Sequence, residues 1–453
     1  MTQKNKTIGI ISLGCAKNQV DAERMVTLMR GAGYTVTPRL DALDAVVINT
    51  CGFIESAKAE AIETILEFCA LKAEGKLEKI IVTGCLAERY KSELLAEMPE
   101  IDGMLGSGSF RRVAEALDAA FDAAGEAPPP ELYDAPGSDP LADETPRVLS
   151  TPKGWAYLKI AEGCDNNCAY CVIPDIRGRF RSRSIESLVA EAESLAAQGV
   201  RELDVVAQDS TRYGLDLYGR RVLPELLEAL SAIDGIRWIR LHYLYPDEIT
   251  DELIQTVADN PKIVKYLDIP IQHISDAVLA RMNRRGTGAE LRALMTKLRE
   301  RIPGVVIRTT LIAGLPGETD REFEELCDFL REFRLERVGV FPFSPEEGTP
   351  AEKMTDRVRL EIAEHRVTLI EQLQTGIMDE FNAARIDSVC EVLIEDYDKW
   401  GECFCGRSWA EAPDVDGKIF ITAASDGKQP MLGDIVIARI TDIIDGDLIG
   451  EVL

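Results

Sequence analysis

The sequence predicts a multidomain α/β protein with an N-terminal open parallel α/β domain, a central partial (β/α)6 barrel and a small antiparallel C-terminal β-barrel. Strand-like and helical segments alternate in the first 125 residues, six further strand–helix units follow, and short strands separated by turns end the chain. The length of 453 residues corresponds to about three domains. An apolar content of 46% is enough to build their cores.

Residues 1–125 are predicted to form the first domain. Short β-branched runs bounded by Gly or polar residues are typical of a buried parallel sheet. The predicted strands are Thr7–Leu13, Asp44–Thr50 and Lys79–Thr83, and the predicted helices are Asn18–Arg30, Ser56–Ala73 and Arg89–Met98. This alternation predicts an open α/β domain.

One cysteine follows each predicted strand of this domain: these are Cys15, Cys51 and Cys85, flanked by Gly14, Gly52 and Gly84. Ligands of open parallel sheets bind at the carboxyl ends of strands, so the three cysteines are expected to converge. The glycines would let the backbone segments approach closely. The alternative is that they are buried structural cysteines, which are common in α/β cores.

Residues 126–152 contain seven prolines among acidic and small residues. Such a composition buries little apolar area and predicts an extended linker.

Residues 153–385 are predicted to form the central barrel. Its predicted strands are Trp155–Ala161, Glu202–Ala207, Arg237–Tyr243, Lys265–Pro270, Val305–Ile312 and Arg337–Phe343. The helical stretches include Ile185–Gln198, Asp247–Ala258 and Asp320–Arg334, and Asp356–Ala384 closes the region. In such barrels the active-site loops lie at the carboxyl ends of the strands.

Three cysteines, Cys164, Cys168 and Cys171, lie within eight residues directly after the first of these strands. A closed structural zinc site needs four ligands, and a [4Fe–4S] cluster ordinarily takes four cysteines. Three cysteines would therefore leave one iron open, which indicates chemistry rather than scaffolding. A zinc site or a disulfide cluster is the alternative.

Residues 386–453 are predicted to form the small β-barrel. The predicted strands are Ser388–Glu395, Lys418–Ala423, Asp434–Ile440 and Asp447–Glu451. Counted from Arg385, this region has six basic and fifteen acidic residues, which gives a net charge of −9.

The whole chain has a net charge of −27 and eleven cysteines. An acidic protein is a poor binder of phosphate backbones and attracts basic partners, although acidic surfaces also simply keep proteins in solution. The polar segment Met1–Lys6 leads directly into a strand, so no signal peptide is expected. No apolar stretch approaches the ~20 residues of a membrane span. Cysteines in this context favour metal ligation in a reducing compartment, which predicts a cytoplasmic protein without membrane contact.

The spacing C-x3-C-x2-C, with Tyr170 before its last cysteine, resembles the signature of the radical SAM superfamily. Together with the N-terminal cysteines and a TRAM-like C-terminal barrel, it makes the whole chain similar to the methylthiotransferase family. The resemblance implies two [4Fe–4S] clusters and S-adenosyl-L-methionine (SAM) as cofactors. The auxiliary cluster would be held by Cys15, Cys51 and Cys85, and the SAM-cleaving cluster by Cys164, Cys168 and Cys171.

One branch of this family modifies adenosine in tRNA, and another modifies an aspartate of the basic ribosomal protein S12. The acidic barrel favours the protein substrate, because phosphate contacts require cations. Local strings resemble the protein-modifying branch: Ser12-Leu-Gly-Cys-Ala-Lys-Asn18, Asn49-Thr-Cys-Gly-Phe-Ile54, Ala207-Gln-Asp-Ser-Thr211, Asp268-Ile-Pro-Ile-Gln-His273 and Gly406-Arg-Ser-Trp-Ala-Glu411. S12 is therefore the expected partner. tRNA is the first alternative substrate, and a non-catalytic iron–sulfur carrier is the second alternative.

An aspartate β-carbon is not readily activated by acid–base groups, so a cofactor must carry the hard step. The resemblance implies one SAM to methylate the sulfur and a second to generate the radical, with an electron donor such as a flavodoxin or ferredoxin. No catalytic residue is expected beyond the cluster ligands, and both open irons are expected to face one cavity.

Tyr170, Gln208 and Arg308 are the predicted SAM contacts. The turn Ala313–Gly317 resembles a SAM motif of the superfamily, with an ordinary strand-to-helix bend as the alternative. The remaining histidines and three further cysteines receive structural interpretations: these are His242, His273, His365, Cys69, Cys327 and Cys390. Cys403 and Cys405 are interpreted as reduced bystanders, with metal binding as the alternative. The basic run Arg177–Arg183 is interpreted as a solvated loop, with binding of the SAM carboxylate, the substrate's acidic side chain or neighbouring acids as alternatives.

Overall fold

The computed structural model describes residues 4–123, 129–135, 146–422 and 429–453. The chain divides into two compact units. The first consists of Met1–Ser150, Ala161–Ser187 and Glu346–Thr349, and the second of Thr151–Ile160, Leu188–Pro345 and Pro350–Leu453. Cys15, Cys51 and Cys85 (the first triad) and Cys164, Cys168 and Cys171 (the second triad) therefore all belong to the first unit.

A six-stranded parallel sheet forms the centre of the first unit. Its strands are β1 (Thr7–Ser12), β2 (Thr35–Thr37), β3 (Ala45–Thr50), β4 (Lys79–Gly84), β5 (Gly103–Leu105) and β6 (Glu131–Leu132), in the spatial order β2-β1-β3-β4-β5-β6. Strand β3 is buried along its full length, as expected for a parallel strand covered on both faces. Because β1, β3 and β4 are neighbours, their carboxyl ends lie side by side.

Helices cover both faces of this sheet: α1 (Ala16–Gly31), α2 (Glu55–Ala73), α3 (Cys85–Glu97) and α4 (Val113–Asp122). Side chains of β3 alternate between two cores, as the period of a strand requires. Val47 packs with α1 and α4, whereas Val46 and Ile48 pack with α2 and α3. The predicted open α/β fold is confirmed.

Strands β2, β5 and β6 and helix α4 were not among the predicted elements. The three strands are only two or three residues long, so they carry no readable alternation. Strand β6 lies in the predicted linker and pairs with β5. Near the end of that linker, the buried Arg147 donates to Glu23 at 2.7 Å. The prediction of an extended spacer is therefore wrong for these positions, whereas its residues 126–128 and 136–145 lie outside the described ranges.

A second six-stranded parallel sheet, curved as a partial barrel, lies in the second unit, in the order β14-β13-β12-β11-β10-β7. Its strands are β7 (Trp155–Lys159), β10 (Glu202–Val206), β11 (Trp238–Leu241), β12 (Ile263–Asp268), β13 (Val306–Ala313) and β14 (Arg337–Pro342). The short strands β8 (Ala161–Glu162) and β9 (Arg181–Ser182) pair with each other in the first unit. All six predicted barrel strands are present.

The remaining helices are α5 (Ile173–Arg177), α6 (Ile185–Ala197), α7 (Leu215–Tyr218), α8 (Leu223–Ser231), α9 (Asp251–Asp259), α10 (Asp276–Arg281), α11 (Gly288–Arg301), α12 (Asp320–Phe333) and α13 (Leu360–Ala383). Capping boxes fix the starts of α11 and α12: Thr287 pairs with Glu290, and Thr319 with Glu322. Within the described ranges, no helix has the length and apolar character needed to cross a membrane.

The C-terminal strands close into a five-stranded barrel in the order β15-β16-β17-β19-β18. They are β15 (Val389–Asp398), β16 (Cys403–Arg407), β17 (Ile419–Thr422), β18 (Ile435–Ile444) and β19 (Asp447–Val452). Strand β16, which carries Cys403 and Cys405, was not among the predicted strands. The expected antiparallel pairing holds except for β17 and β19, which are parallel.

A buried group of charged side chains joins this small barrel to the second sheet. Glu202, the first residue of β10, is fully buried and accepts hydrogen bonds from Arg240 at 2.7 Å and Arg407 at 2.8 Å. Arg240 also donates to the carbonyl oxygen of Trp409 at 2.9 Å. Because all three charges have partners, burying them is tolerated.

Replacing Glu202 with Ala should lower the free energy of unfolding by about 3 kcal/mol, because it leaves the two arginines without their shared carboxylate in a buried site. Urea denaturation of the full chain measures this change. The exposed Glu252 on α9 provides the control, since Glu252→Ala should cost less than about 0.5 kcal/mol. Equal losses in the two variants would contradict the prediction.

Candidate functional site

The first cysteine triad lies at the carboxyl ends of three neighbouring strands. Cys15 directly precedes α1, Cys51 directly follows β3, and Cys85 is the first residue of α3, directly after β4. A Cβ atom placed on Gly14 would lie 2.7 Å from the Cβ of Cys51, so the loops after β1 and β3 almost touch. The structure thus brings the three predicted cysteines together.

Gly84 makes the approach of the third cysteine possible. Its φ of +94° lies in the left-handed region that favours glycine. A Cβ atom there would lie 2.5 Å from the carbonyl oxygen of Thr50. The residue before Cys85 therefore has to be glycine for Cys85 to reach the other two.

Asn18, on the first turn of α1, ties the loops of the triad together. Its side-chain amide donates to the carbonyl oxygens of Leu13 at 3.0 Å and Thr50 at 2.9 Å. Leu13 lies two residues before Cys15, and Thr50 lies directly before Cys51, so Asn18 links the two loops. Asn18 was not among the predicted site residues, although it lies in one of the strings that carried the family resemblance.

Arg89 supports the loop of Cys51 from the other side. Its guanidinium donates to the carbonyl oxygen of Gly52 at 2.9 Å and to the buried carboxylate of Glu346, also at 2.9 Å. Glu346 accepts in addition from the backbone N–H of Glu55 at 3.1 Å. The backbone after Cys51 is therefore held by an ion pair, which fixes where the thiol points.

The three thiols differ in their ease of ionisation. Burial alone would raise the pKa of Cys15, but the nearby cations of Lys17 and Arg177 hold it below its ordinary value. Burial raises the pKa of Cys51 and raises that of Cys85 to about 12, with Arg177 offsetting only part of the effect. Since a metal binds thiolates, metal binding at this triad has to displace protons.

The second triad lies in the loop between β8 and α5. The backbone N–H of Asn166 donates to the Sγ of Cys164 at 3.4 Å, and that of Ile173 to the Sγ of Cys171 at 3.5 Å. The N–H of Cys171 donates to the carbonyl oxygen of Cys168 at 3.1 Å, which keeps the loop tight. Hydrogen bonds to sulfur stabilise thiolates and tune iron–sulfur centres.

The two triads are connected within the first unit. Cys85 of the first triad packs with Val172 and Ile176, which directly follow the second triad, and Phe53 packs against them. The side chain of Arg177 donates to the Sγ of Cys85 at 3.5 Å. The interpretation of the basic run as a solvated loop is therefore wrong for Arg177, which is buried beside Asp21 and Glu162. It is also wrong for Arg183, which is buried as well.

The donor atoms available at the two triads are cysteine sulfurs, which are the usual ligands of iron–sulfur clusters. In the described part of the chain, no three His, Cys, Asp or Glu side chains come close enough to hold one metal ion. A zinc site brings all its ligands to one ion, whereas in a [4Fe–4S] cluster each thiolate binds a different iron. By its chemistry, a set of three thiolates suits such a cluster and would leave one iron without a protein ligand.

The predicted SAM contacts lie in different units. Tyr170 is half-buried in the cysteine loop of the first unit, whereas Gln208 and Arg308 belong to the second unit. Gln208 lies just beyond the end of β10. Arg308, on β13, donates to Asp268 at 3.0 Å. The three residues remain predicted contacts, and Arg308 already has a carboxylate partner.

The turn Ala313–Gly317 is explained by packing. Glu318 accepts from the backbone N–H groups of Gly314 at 2.5 Å and Leu315 at 3.1 Å, so these donors are used within the turn. A Cβ atom on Gly314 would lie 2.4 Å from the Cβ of Ala363 on α13. These contacts account for the bend itself, and the resemblance to a SAM motif stays a prediction.

Two of the histidines have the structural roles that were predicted. His242 is buried between Asp204 at 3.2 Å and Asp268 at 3.6 Å, and although burial lowers its pKa, these carboxylates raise it above the ordinary value. His273 accepts from the backbone N–H of Ser275 at 3.0 Å, and burial lowers its pKa to about 3. His365 is exposed on α13.

Three family models match parts of the chain. The model described as "Uncharacterized protein family UPF0004" matches residues 7–106, that of the radical SAM superfamily matches residues 158–330, and that of the TRAM domain matches residues 386–453.

The chain is similar over its whole length to proteins named ribosomal protein uS12 methylthiotransferase RimO. The protein of Acetivibrio thermocellus is 45% identical, with 99% of this chain and 98% of that protein covered. The protein of Geobacter sulfurreducens is 46% identical, with both chains fully covered.

Among solved structures, the chain is similar to the radical S-adenosylmethionine methyltransferase TsrM from Kitasatospora setae with cobalamin and a [4Fe–4S] cluster bound. The TM-score is 0.56 at 16% identity, with 77% of each chain covered. The cobalamin-dependent radical enzyme OxsB gives a TM-score of 0.51 at 13% identity, with 82% of this chain and 56% of that chain covered. These two likenesses concern the fold alone.

Replacing Gly84 with Ala should release iron from the first triad and leave the second triad loaded, because the added methyl group would collide with the backbone of Thr50. After anaerobic reconstitution, about four of eight irons should be lost, as measured by iron analysis and Mössbauer spectroscopy. Gly199 provides a matched control, because its φ of +95° is similar and a Cβ atom there meets nothing within 4 Å. Equal iron contents in Gly84→Ala and Gly199→Ala would contradict the prediction.

Proposed function

Because the chain belongs to the RimO family of ribosomal protein uS12 methylthiotransferases, which are radical SAM enzymes, we propose that it attaches a methylthio group to the β-carbon of an aspartate in uS12. The observation that carries this proposal is the presence of two cysteine triads in one compact unit, connected by contacts of Cys85. A simple electron carrier needs no such pair of incompletely ligated sites.

The proposed reaction replaces an unactivated C–H bond with a C–S bond, which acid–base side chains do not achieve. Cys15, Cys51 and Cys85 would hold the auxiliary [4Fe–4S] cluster, and Cys164, Cys168 and Cys171 the SAM-cleaving one. When bound, these cofactors supply an open iron for sulfur and the electron that cleaves SAM. One SAM would provide the methyl group and a second would provide the radical.

The protein itself positions the ligands and keeps water away. The backbone N–H groups of Asn166 and Ile173 stabilise two thiolates of the second triad. Phe53, Val172 and Ile176 place an apolar wall against Cys85. An apolar shell limits solvent access to a metal site, and such a shell would protect a reactive radical from side reactions.

The C-terminal barrel is proposed to dock the basic substrate. In the described part of residues 386–453, seven carboxylates are exposed against three cations: Asp387, Asp396, Glu402, Asp414, Asp442, Asp445 and Glu451 against Lys399, Lys418 and Arg439. Arg407 is buried and Arg385 is half-buried, so neither adds to a basic face. This surface complements a basic protein and repels the phosphates of tRNA.

An exposed tryptophan offers an anchor within that acidic surface. Trp400, in the turn between β15 and β16, is 99% exposed. The carboxylate of Asp398 accepts from the backbone N–H groups of Trp400 at 2.7 Å and Gly401 at 3.1 Å, so the turn is ordered without a partner. Tryptophans are enriched among the residues that dominate binding energy at interfaces.

The remaining parts of the proposal follow from this chemistry. Residues 1–125 would carry the auxiliary cluster, residues 153–385 the radical SAM core and residues 386–453 the docking barrel. Tyr170, Gln208 and Arg308 would contact SAM. A flavodoxin or ferredoxin would supply electrons, and the oxygen-sensitive thiolates suit a cytoplasmic location.

Anaerobic reconstitution with iron, sulfide and SAM tests the proposal, with a uS12 peptide and a tRNA anticodon stem offered separately. We expect the mass gain of a methylthio group on the peptide, with one S-adenosylhomocysteine and one 5′-deoxyadenosine formed for each product. The Cys15/Cys51/Cys85→Ala variant should still cleave SAM but form no product, and the Cys164/Cys168/Cys171→Ala variant should not cleave SAM by reduction. A mass gain on the RNA alone would reverse the proposed substrate.

Replacing Trp400 with Ala should raise the KM for uS12 about tenfold, which corresponds to 1.4 kcal/mol of lost binding, and leave kcat unchanged. Steady-state kinetics with intact uS12 measure both constants. Met431→Ala is the control, since Met431 is a 70% exposed side chain of the same barrel. If Trp400→Ala and the control had the same KM for uS12, Trp400 would not be part of the docking surface.

A further inference from the structure

Arg177 is a buried cation beside the first triad, on the helix that follows the second triad. It is the last residue of α5, six positions after Cys171, and only 3% of it is exposed. A buried guanidinium is stable only where its charge and its donors are satisfied. The hydrogen-bond partners of Arg177 therefore indicate which groups its charge stabilises.

The two terminal nitrogens of Arg177 serve different partners. Nη1 donates to the carboxylates of Asp21 at 2.9 Å and Glu162 at 3.3 Å. Nη2 donates to the side-chain oxygen of Asn18 and, at 3.5 Å, to the Sγ of Cys85. One side of the guanidinium is thus anchored by acids, while the other faces a ligand of the first triad and the residue that ties its loops together.

We propose that Arg177 is a positioning residue that donates an N–H···S hydrogen bond to Cys85 and thereby raises the reduction potential of the cluster at the first triad. The inference rests on the proposed function, because it requires a cluster at Cys15, Cys51 and Cys85. It goes beyond that function by assigning a role to a side chain that is not a cluster ligand.

The physical reason is electrostatic. Hydrogen bonds to the sulfur ligands and a nearby positive charge favour the more reduced, more negative state of an iron–sulfur cluster. Asp21 and Glu162 fix the guanidinium before the cluster is reduced. The guanidinium therefore does not have to reorganise when the cluster gains negative charge. A lysine side chain has a single nitrogen, so it could not donate to the two carboxylates and to the Sγ of Cys85 with the same geometry.

The electron count of the proposed reaction gives this role a purpose. A carbon radical and a methylthiolate lone pair contribute three electrons, and the new C–S bond uses two of them. The third electron has to be accepted at the iron centre that held the methylthiolate. By favouring the reduced state there, Arg177 would ease formation of the C–S bond.

A redox titration of the first triad alone tests the proposal. The full-length Cys164/Cys168/Cys171→Ala variant, reconstituted with iron and sulfide, should hold about four irons and give one EPR-monitored midpoint. In this background, Arg177→Gln should lower the midpoint by at least a tenfold change in the reduction equilibrium, which is 59 mV for one electron. Arg177→Lys, which keeps the charge, should give a smaller decrease. Arg179→Gln is the control, because the Arg179 side chain is 90% exposed and pairs with Asp165 at the surface.

The outcomes separate the two proposals. A background variant that binds no iron would contradict the proposed function and this inference with it. A background variant with four irons, whose midpoint is the same with Arg, Gln or Lys at position 177, would overturn this inference alone. If Arg177→Gln does not fold, as judged by circular dichroism, Arg177→Lys decides: an unchanged midpoint contradicts the N–H···S role, and a decrease supports it.

Discussion

In the first unit, the carboxyl ends of β1, β3 and β4 lie side by side, and each of them delivers one cysteine to the same place. This follows from parallel pairing, which sends every strand end to one edge of the sheet. The loops can meet there only because glycine precedes Cys15 and Cys85. Asn18 and Arg89 then fix the loops through backbone carbonyls. The sheet topology thus determines where the three cysteines of the first triad lie, and a few local contacts fix the loops that carry them.

Charge is distributed in two different ways in this acidic chain. In the interior, carboxylates and guanidiniums are matched one to another, as with Glu202 between Arg240 and Arg407 and with Arg177 between Asp21 and Glu162. On the surface of the C-terminal barrel, the carboxylates outnumber the cations. The interior pairs satisfy buried charges, whereas the excess of surface carboxylates is the feature that the proposed docking of a basic partner would use.

The sequence was sufficient for the strands that are long and rich in β-branched residues, and for the two cysteine triads, because spacing and periodicity are local properties. It was not sufficient for β2, β5 and β6, which are too short to carry a period and owe their pairing to neighbouring strands. Arg177 was misjudged for a related reason. Its run of four arginines has the composition of an exposed loop, and its burial depends on Asp21, which is distant in the chain. Strand β16 is only five residues long and has the sequence Cys-Phe-Cys-Gly-Arg, so it lacks the β-branched residues that marked the other strands.

The chain passes between the two units several times, since Ala161–Ser187 and Glu346–Thr349 belong to the first unit while the residues on either side of each belong to the second. Neither unit is therefore encoded by an uninterrupted stretch. Cutting the gene at the proline-rich region would not yield two self-sufficient halves, because the upstream product would lack both of these pieces. Exchange of whole modules between related genes would be constrained in the same way, so the two cysteine triads are expected to be inherited together.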